Sequence, residues 1–449
     1  MHKVVITILI LLFVSVAMQA QPVLTQKEAD TRTLSLYNSA KWSELISEGE
    51  EVIEKNIDFY YLRMRIGIAY YTKKDYMKAI EHFEKALKFN PVDLIAMEYL
   101  YYSYLFSGRE SEALTLIYDM PFKLKKKLDV YPKFMYGLYS EGGATANKDY
   151  GVQKNVINTN LPKIYNEQEV FNNGFYYSIN LKHQLGKYVN MFHGYNTISV
   201  NTFDQIYDQN IGLRTFDLHS TQQEYYNNIN FNLGDGYNLT PAFHYLRVKL
   251  DDVDLNYDHS VNPWIPLFTE VITTENDFVF SLSLSKFTGH FNFAFKNSVS
   301  NLNKATQTQN TLEMIFYPLG NLNLYTVTDA TLFSNKDWGE KRKSFGIVNQ
   351  KIGLKTFNYL WMEAGFTFGN IFNFNEADAF IVYNNTNKYT NRLELNFIAP
   401  LTRNLELSLR YQRYQQEVPT TYYVTTKSGN TILSNNIHNK LIGGIKWTF

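Results

Sequence analysis

The chain has 449 residues, of which 45% are hydrophobic and 16% aromatic, and its 43 basic residues are balanced by 43 acidic ones. This balance excludes the broad basic field that nucleic-acid binding requires. The complete lack of cysteine excludes disulfides, thiolate metal sites and a cysteine nucleophile.

The N-terminal segment has the pattern of an export signal. A short basic start precedes an uncharged apolar run from Val4 to Val16, and small residues follow. Because that run is too short to span a bilayer, residues 1–20 are expected to form a secretory signal peptide, cleaved after Ala17 or Ala20. Beyond it, no stretch reaches the roughly 18 apolar residues that a spanning helix needs. Membrane residence would therefore come from β-strands.

Residues 26–128 are charged, have a helical pattern and repeat with a period of 34 residues. The clearest unit begins at Tyr60, and its small, aromatic and proline positions match those of a tetratricopeptide repeat. These positions are occupied by Gly67, Ala79, Phe83, Ala86 and Pro91. Small residues let two antiparallel helices approach closely, and the proline ends the second helix. The concave face of such a domain binds a protein or peptide, with Arg63, Tyr70 and Tyr101 as candidate groove residues.

From residue 131 to residue 449, a period of two replaces the helical period. Phe278, Phe280, Leu282 and Leu284, for example, alternate with small and polar residues. About fourteen such segments of roughly ten residues occur, which is the length that a tilted strand needs to cross a bilayer. They begin near Phe134, Phe175, Tyr188, Gln222, Tyr237, Phe278, His290, Gln309, Asn321, Ser344, Asn358, Thr390, Arg403 and Asn435. The predicted fold is therefore a two-domain α+β chain, in which α-helical tetratricopeptide repeats precede a transmembrane antiparallel β-barrel of about fourteen strands.

The connections between the predicted strands alternate in length. Tight turns such as Gly186-Lys187 are interleaved with long polar connections. The long ones lie near residues 144–172, 201–220, 251–275, 370–388 and 417–432. Outer-membrane barrels have short periplasmic turns and long external loops. This alternation places the helical repeats and the C-terminal Phe449 in the periplasm.

The last strand ends in aromatic residues on its apolar face. Leu441, Ile445, Trp447 and Phe449 alternate with polar residues that suit a wet barrel interior. This ending indicates a Gram-negative outer membrane. A soluble β-sandwich or a periplasmic β-solenoid is the alternative fold.

This arrangement resembles the YaiO-type family of outer-membrane barrels with N-terminal tetratricopeptide repeats. The resemblance rests on Gly67, Ala79, Ala86, Pro91 and the terminal Trp447-Thr448-Phe449, and it covers nearly the whole mature chain. The layout is also similar to that of outer-membrane exporters of poly-N-acetylglucosamine, cellulose and alginate, in which periplasmic repeats feed a polysaccharide to a barrel. The chain departs from those exporters by having far fewer repeats.

Charged residues on the predicted inner face are candidates for contact with a transported solute. The basic ones are Lys182, Arg247, Lys249, Lys296, Arg392, Arg410, Lys440 and Lys446, and the acidic ones are Glu313, Glu363, Glu394 and Glu406. The basic excess favours anionic or sugar-like solutes. Alternatively, the charges on consecutive strands, Arg392, Glu394, Glu406 and Arg410, pair with one another and brace the lumen.

Other constellations give weaker signals. The spacing of Asp252, Asp254 and Asn256 is that of the start of a calcium loop, but Tyr257 replaces the required glycine and Pro263 the bidentate glutamate. We therefore predict a solvated loop, with neither a metal nor a cofactor. The scattered histidines identify no catalytic residue. The lysine run at 123 and 125–127 suits either anionic lipid headgroups or the end of a solvated helix.

These patterns together predict a transport or export component of the outer membrane, with polysaccharide export as the specific expectation. A structural anchor or assembly scaffold, whose repeats bind an envelope protein, is the alternative, and a barrel enzyme is a third hypothesis. The expected partners are outer-membrane lipid, a periplasmic or envelope protein bound by the repeats, and a glycan or anionic solute. Nucleic acid is not expected.

Overall fold

The computed structural model describes residues 24–155, 157, 164–210, 212–258, 260, 265–337, 339, 341–385, 387–425 and 428–449. The expected signal peptide, residues 1–20, lies outside these ranges. The described chain divides into two compact units between Ser103 and Tyr104. The domain limits expected from the sequence, 26–128 and 131–449, remain a prediction.

The N-terminal part is helical, as the sequence predicts. Its helices, labelled α1 to α7 in chain order, are Gln26–Asn38, Trp42–Glu54, Tyr60–Thr72, Tyr76–Phe89, Leu94–Phe106, Glu110–Asp119 and Phe122–Leu128. The α1 helix begins at a capping box, in which the Thr25 side chain accepts the backbone N–H of Glu28 and the Glu28 side chain accepts the backbone N–H of Thr25. Asp75 caps α4 by accepting the backbone N–H of Lys78 at 3.1 Å. The expectation of a stack of helical repeats is confirmed.

The close approach of α3 and α4 depends on Gly67. A Cβ atom at this position would lie 2.8 Å from Cε1 of Phe83. The Phe83 side chain is fully buried, as are Leu62 and Ile66 on the α3 side of the core. The glycine therefore makes room for the aromatic ring that fills the groove between the two helices.

Replacing Gly67 by valine should destabilise the repeat unit by about 1–3 kcal/mol, because the buried Phe83 ring has no space into which to move. Hydrogen exchange of residues 60–89 in the full-length chain measures this loss. Lys85→Val, on an exposed face of α4, controls for the low helix propensity of valine. Equal exchange rates in the two variants would contradict the packing argument.

The C-terminal part is a closed antiparallel barrel of fourteen strands, which confirms the predicted fold and strand count. In chain order, the strands β1 to β11 are Met135–Asn147, Tyr165–Gly186, Val189–Asp208, Gly212–Gly234, Tyr237–Asp258, Ile265–Thr288, Phe291–Ser300, Thr306–Phe316, Leu324–Lys336, Lys343–Phe357 and Leu360–Ile371. Two short strands, β12 and β13, are Phe374–Glu376 and Ile381–Tyr383, and they form a separate two-stranded sheet. The remaining barrel strands, β14 to β16, are Tyr389–Pro400, Leu405–Thr425 and Ser428–Thr448. A short helix α8, Tyr150–Gln153, follows β1, and a 3₁₀ turn, Leu302–Lys304, follows β7.

The barrel closes where its first and last strands pair. The register between β1 and β16 runs from Gly137 opposite Thr448 to Asn147 opposite His438. The backbone N–H of Phe449 adds a bond of 3.0 Å to the carbonyl oxygen of Tyr136. The C-terminal aromatic residue predicted to end the barrel is therefore part of its seam.

The two faces of each strand differ in polarity. On β6, Phe280 and Leu282 expose 54% and 49% of their surface, whereas the intervening Ser281 and Ser283 expose 7% and 5%. The outward-facing residues of neighbouring strands are also large and apolar. Such an alternation gives a barrel an apolar outer band and a polar interior. Among the described residues, no helix has the length and apolar character needed to cross a bilayer.

The strands are unequal in length, which corrects three of the predicted long connections. The strands from β2 to β6, together with β15 and β16, have 20–24 residues each, whereas β7 to β11 and β14 have 10–15. Much of the segments 201–220, 251–275 and 417–432 is therefore strand. Alternation of apolar and polar residues does not reveal these extensions, because strand residues beyond the apolar outer band of a barrel need no apolar face.

The predicted phase of β5 was wrong at its outer half. Leu246 and Val248 are buried and face the lumen, so Arg247 and Lys249 face outward. Leu246 belongs to a buried apolar cluster with Val279 and Ala379. The phase was assigned on the assumption that charged residues face the lumen and apolar residues face outward. The buried apolar cluster around Leu246 reverses this arrangement in the outer half of β5.

Candidate functional site

A segment expected to be an external loop instead folds into the barrel. Residues 372–388, here called the lumen loop, connect β11 to β14 and contain the β12–β13 hairpin. The Asn375 side chain donates to Ser298 on β7 at 2.9 Å, and Asn384 donates to Asp277 on β6 at 3.1 Å. Phe374 packs with the buried Phe333 and Ile347 of other strands. Because its contacts reach strands on several sides, the lumen loop lies across the interior.

The tip of the lumen loop has a strained backbone. Ala377, Asp378 and Ala379 have φ angles of 51°, 56° and 68°, which is the left-handed region. For residues with a Cβ atom, this conformation costs about 1–2 kcal/mol each. Three such residues in succession require surrounding contacts that hold them in place.

The barrel wall supplies those contacts to the loop tip. The Tyr226 hydroxyl donates to the carbonyl oxygen of Asp378 at 3.0 Å, and His244 Nδ1 donates to that of Ala379 at 2.7 Å. The Lys296 ammonium lies 3.5 Å from the Asp378 carboxylate. Strands β4, β5 and β7 thus hold the strained turn against one side of the lumen.

Arg392 holds the base of the same hairpin. Its guanidinium donates to both carboxylate oxygens of Glu376, at 2.7 and 3.1 Å, and to the Thr367 hydroxyl at 2.8 Å. It also contacts the Tyr383 hydroxyl on β13. Arg392, a predicted lumen residue, is therefore buried in a bidentate ion pair with the lumen loop.

Lys296, Glu363, Glu394, Glu406, Arg410 and Lys446 also lie on the inner face and have charged partners, whereas Lys440 lies over the Tyr176 ring. Lys296 lies 2.8 Å from Glu313, and Glu394 lies 3.3 Å from Lys351. Glu363 lies 3.8 Å from Lys351, Arg410 lies 3.5 Å from Glu141, and Glu406 lies 4.0 Å from Lys446. The expected mutual pairing of Arg392, Glu394, Glu406 and Arg410 is not observed, since each binds a residue outside that group. The ion pairs link β10 with β11 and β14, and β15 with β1 and β16.

Several acidic lumen residues were missed from the sequence, and the expected basic excess disappears. The missed acids are Glu141, Glu224, Asp329, Glu376 and Asp378, and the missed base is Lys351. Glu141 lies in a glycine-rich strand without clear alternation, and two others belong to the lumen loop. Since Arg247 and Lys249 face outward, the acidic residues of the described lumen at least match the basic ones.

A polar chamber lies between the lumen loop and α6. Its volume is about 260 Å³. It is lined mainly by hydroxyl, amide and charged groups, including Asn230, Asn238, Thr240, Ser283, Asn292 and Glu313. Asp378 lines one part of it and Glu110 another. A polar space therefore lies in the described interior, beside the lumen loop.

The α6 helix is fastened to the tight-turn end of the barrel. Glu110 lies 2.7 Å from Lys182 on β2, and Asp119 lies 2.6 Å from Lys187 in the β2–β3 turn. The Asn190 side chain donates to the Ser111 hydroxyl at 3.0 Å. Predicted lumen residue Lys182 is thus a contact for this helix.

The two ion pairs shift pKa values in opposite directions. Burial favours the protonated form of Glu110, but the attraction of Lys182 outweighs it and holds the pKa of Glu110 below its ordinary value of 4.5. The hydrogen bond with Asp119 raises the pKa of Lys187. Glu110 and Lys187 are therefore charged at neutral pH.

The candidate groove residues of the repeats contact other residues of their own unit. Arg63 donates to both carboxylate oxygens of Asp58, at 2.7 and 2.8 Å. The Tyr70 hydroxyl donates to Glu50 at 3.1 Å, and a hydrogen bond with His82 holds the pKa of Glu50 below its usual range. Tyr101 is almost fully buried. The role of Arg63, Tyr70 and Tyr101 in binding a partner remains a prediction.

The described residues contain no group of three or more histidine, cysteine, aspartate or glutamate side chains placed to hold a metal ion. The proposed calcium-like segment supplies Asp252 and Asp254 to β5, paired with Val271 and Thr269 of β6. A regular ladder at these positions leaves no loop that could wrap around an ion.

Comparisons with known proteins gave one family-model match and several similar solved structures. Residues 60–92 match the family model of the tetratricopeptide repeat. No match was found among curated protein sequences. Among solved structures, a FadL homologue of Pseudomonas aeruginosa is 8% identical, with a TM-score of 0.42, and covers 70% of this chain and 90% of its own. The toluene transporter TodX of P. putida is 7% identical, with a TM-score of 0.44, over 70% of this chain and 90% of its own.

A third similar structure is the translocator domain of the autotransporter NalP from Neisseria meningitidis. It is 10% identical, with a TM-score of 0.30, over 76% of this chain and 94% of its own. The protein thus joins N-terminal helices that include a tetratricopeptide repeat to a closed antiparallel β-barrel of fourteen strands. The lumen loop lies inside this barrel.

Glu376→Gln should release the lumen loop, because it leaves the buried Arg392 guanidinium without a counter-charge. Breaking a buried ion pair costs about 3–5 kcal/mol, so hydrogen exchange of residues 372–385 should accelerate by roughly 100-fold or more. Glu406→Gln, whose carboxylate lies 4.0 Å from Lys446, is the matched control and should leave that exchange unchanged. Unchanged exchange in Glu376→Gln would show that the ion pair does not hold the loop.

Proposed function

We propose that this protein is an outer-membrane barrel that passes a polar solute through its lumen, with the lumen loop as the gate. The observation that carries the proposal is the strained turn at residues 377–379, which Tyr226, His244 and Lys296 of the wall hold inside a polar lumen. The role proposed is transport rather than catalysis.

The outer surface supports residence in a membrane. The apolar outward-facing residues on consecutive strands, such as Phe295, Leu312 and Leu332, lie in contact with lipid in this proposal. The tight turns face the periplasm, as is usual for such barrels. The helical repeats then lie in the periplasm, because they precede β1 at the tight-turn end of that strand.

The interior supports a polar solute. The chamber lining of amide and hydroxyl groups offers hydrogen bonds of the kind that sugar hydroxyls and water also make. Glycan export is consistent with this lining. The lumen charges give no preference for anions, because acidic and basic residues pair with each other.

The backbone strain supports a gate because it raises the free energy of the closed loop position. It therefore reduces the free-energy difference between the closed and the open position. In the closed position, hydrogen bonds from Tyr226 and His244 offset the left-handed backbone. A loop that leaves the wall loses those bonds and also relieves the strain. An envelope protein bound to the repeats would be the partner that supplies or receives the solute.

The second candidate function is a structural anchor, in which the barrel stays closed and the repeats act as a scaffold. The observation that favours it is the bidentate pair of Arg392 and Glu376, since a buried pair of this kind holds the hairpin firmly. The two functions differ in whether the lumen ever conducts.

Planar-bilayer conductance separates these functions. Tyr226→Phe removes one neutral hydrogen bond to the loop tip, and should raise the opening frequency by about fivefold because such a bond contributes about 1 kcal/mol. Tyr225→Phe is the matched control, because Tyr225 is the neighbouring residue on the outward face. Deleting residues 374–383 should give a permanently open channel. If neither the wild-type chain nor the deletion variant conducts, the anchor is the correct function.

Opening should also increase at acid pH through Glu110. Because the folded-state pKa of Glu110 is lowered, its ion pair with Lys182 stabilises the attached α6 above the ordinary value of 4.5. This contribution is lost as the pH falls through the lowered pKa. The opening frequency measured from pH 7 downward should therefore rise in the acid range, and Glu110→Gln should show the acid behaviour at neutral pH. An identical pH profile in Glu110→Gln would exclude Glu110 as the titrating group.

A further inference from the structure

We propose that α7 and the residues after it form a binding surface for anionic phospholipid headgroups at the tight-turn rim of the barrel. This inference rests on the proposed function, because it needs the barrel to be in a membrane. The inference adds anionic phospholipid as a partner. It also gives a role to α7, which does not lie in the lumen.

The α7 helix has one buried side and one exposed side. Leu124 is 1% exposed and attaches the helix to the protein, whereas Phe122 is 72% exposed. Lys123, Lys126 and Lys127 are also exposed. The surface therefore combines an apolar ring with several ammonium groups, which is the composition of interfacial membrane segments.

Contacts on both sides of α7 place it beside the outer wall. Before the helix, Asp119 binds Lys187 in the β2–β3 turn at 2.6 Å. After it, the carbonyl oxygen of Phe134 accepts the backbone N–H of Gln184 on β2 at 2.9 Å. The Phe134 ring packs on His183, with centroids 4.8 Å apart. The segment is thus tied at both ends to the tight-turn end of β2.

This rim already has the aromatic residues of a membrane interface. Phe134 before β1 is 68% exposed, and Tyr188 of the β2–β3 turn and Trp447 of β16 are each about half exposed. Aromatic girdles mark the level of the headgroups in outer-membrane barrels. The lysines of α7 lie in the chain between the attachments at Asp119 and Phe134, and in this proposal they reach the level of the lipid phosphates.

The charges fit an anionic surface better than they fit a helix terminus. Between residues 122 and 134 the basic side chains are Lys123, Lys125, Lys126, Lys127 and Lys133, and the acidic one is Asp129. Lysines in the last turn suit the helix dipole, but Lys123 lies in the first turn, where a positive charge opposes it. Lys133 lies outside the helix. Helix stability therefore does not explain the full cluster, whereas attraction to phosphate does.

The test uses the natural absence of cysteine from the chain. Phe122→Cys carries an NBD label, and the full-length chain is folded into phosphatidylcholine vesicles with or without phosphatidylglycerol. Nitroxide-labelled forms of the two lipids then report which headgroup lies near the label. Tyr61→Cys, on an exposed site in the repeats, gives the reference signal for water.

Phosphatidylglycerol should quench the label at position 122 more strongly than phosphatidylcholine does. High salt should weaken this preference. The variant K123Q/K126Q/K127Q should lower it by about fivefold for each lysine removed, since each contributes about 1 kcal/mol near such a surface. The variant K41Q/K55Q/K85Q, which removes three exposed lysines of the repeats, should retain it.

Protease resistance of the barrel strands shows separately whether the chain is inserted. An inserted barrel with equal quenching by the two lipids would overturn the headgroup surface alone. A chain that never inserts into either vesicle would overturn the proposed function and the surface with it.

Discussion

The closed ladder between β1 and β16 is the constraint on which the rest of the C-terminal unit depends. Inside a bilayer there is no water to satisfy an unpaired strand edge, so a sheet can reside there only if its first and last strands pair. The register from Gly137 opposite Thr448 to Asn147 opposite His438 meets this condition. Once the sheet is closed, the period of two sends every second side chain to the interior, and the identity of those side chains decides what the lumen can contain.

The interior is closed by parts of the same chain that carry opposite charges to the wall. The lumen loop binds through Glu376 to Arg392 and through Asp378 to Lys296. The α6 helix binds through Glu110 to Lys182 and through Asp119 to Lys187. In each case the acidic group belongs to the covering element and the basic group to the barrel. Arg392, Lys296, Lys182 and Lys187 of the barrel therefore hold these elements, and one pair is reversed, since Lys388 of the lumen loop binds Glu417 on β15 at 2.6 Å.

The sequence was most informative where one physical requirement acts on many residues. The strand count was correct because the same alternation of apolar and polar residues recurs from strand to strand. The lumen loop was missed because its residues satisfy individual contacts, such as that of Asn375 with Ser298, which no period reveals. The phase of β5 was missed because Leu246 packs on the loop inside the barrel, and that partner was not foreseeable. Arg392 and Arg410 lie on strands with a clear phase, but their partners, Glu376 and Glu141, depend on the lumen loop and on strand register.

The way in which the lumen loop is attached gives the barrel a direction. Both ends of the loop join strands at the rim opposite the tight turns, where β11 ends and β14 begins. In the proposed transport role, a solute that arrives from the tight-turn side would push the hairpin away from Tyr226 and His244 and towards the rim at which the loop is attached. A solute from the opposite side would press the hairpin further into the barrel. The attachment of the loop would therefore favour passage from the tight-turn side to the opposite rim over passage in the reverse direction.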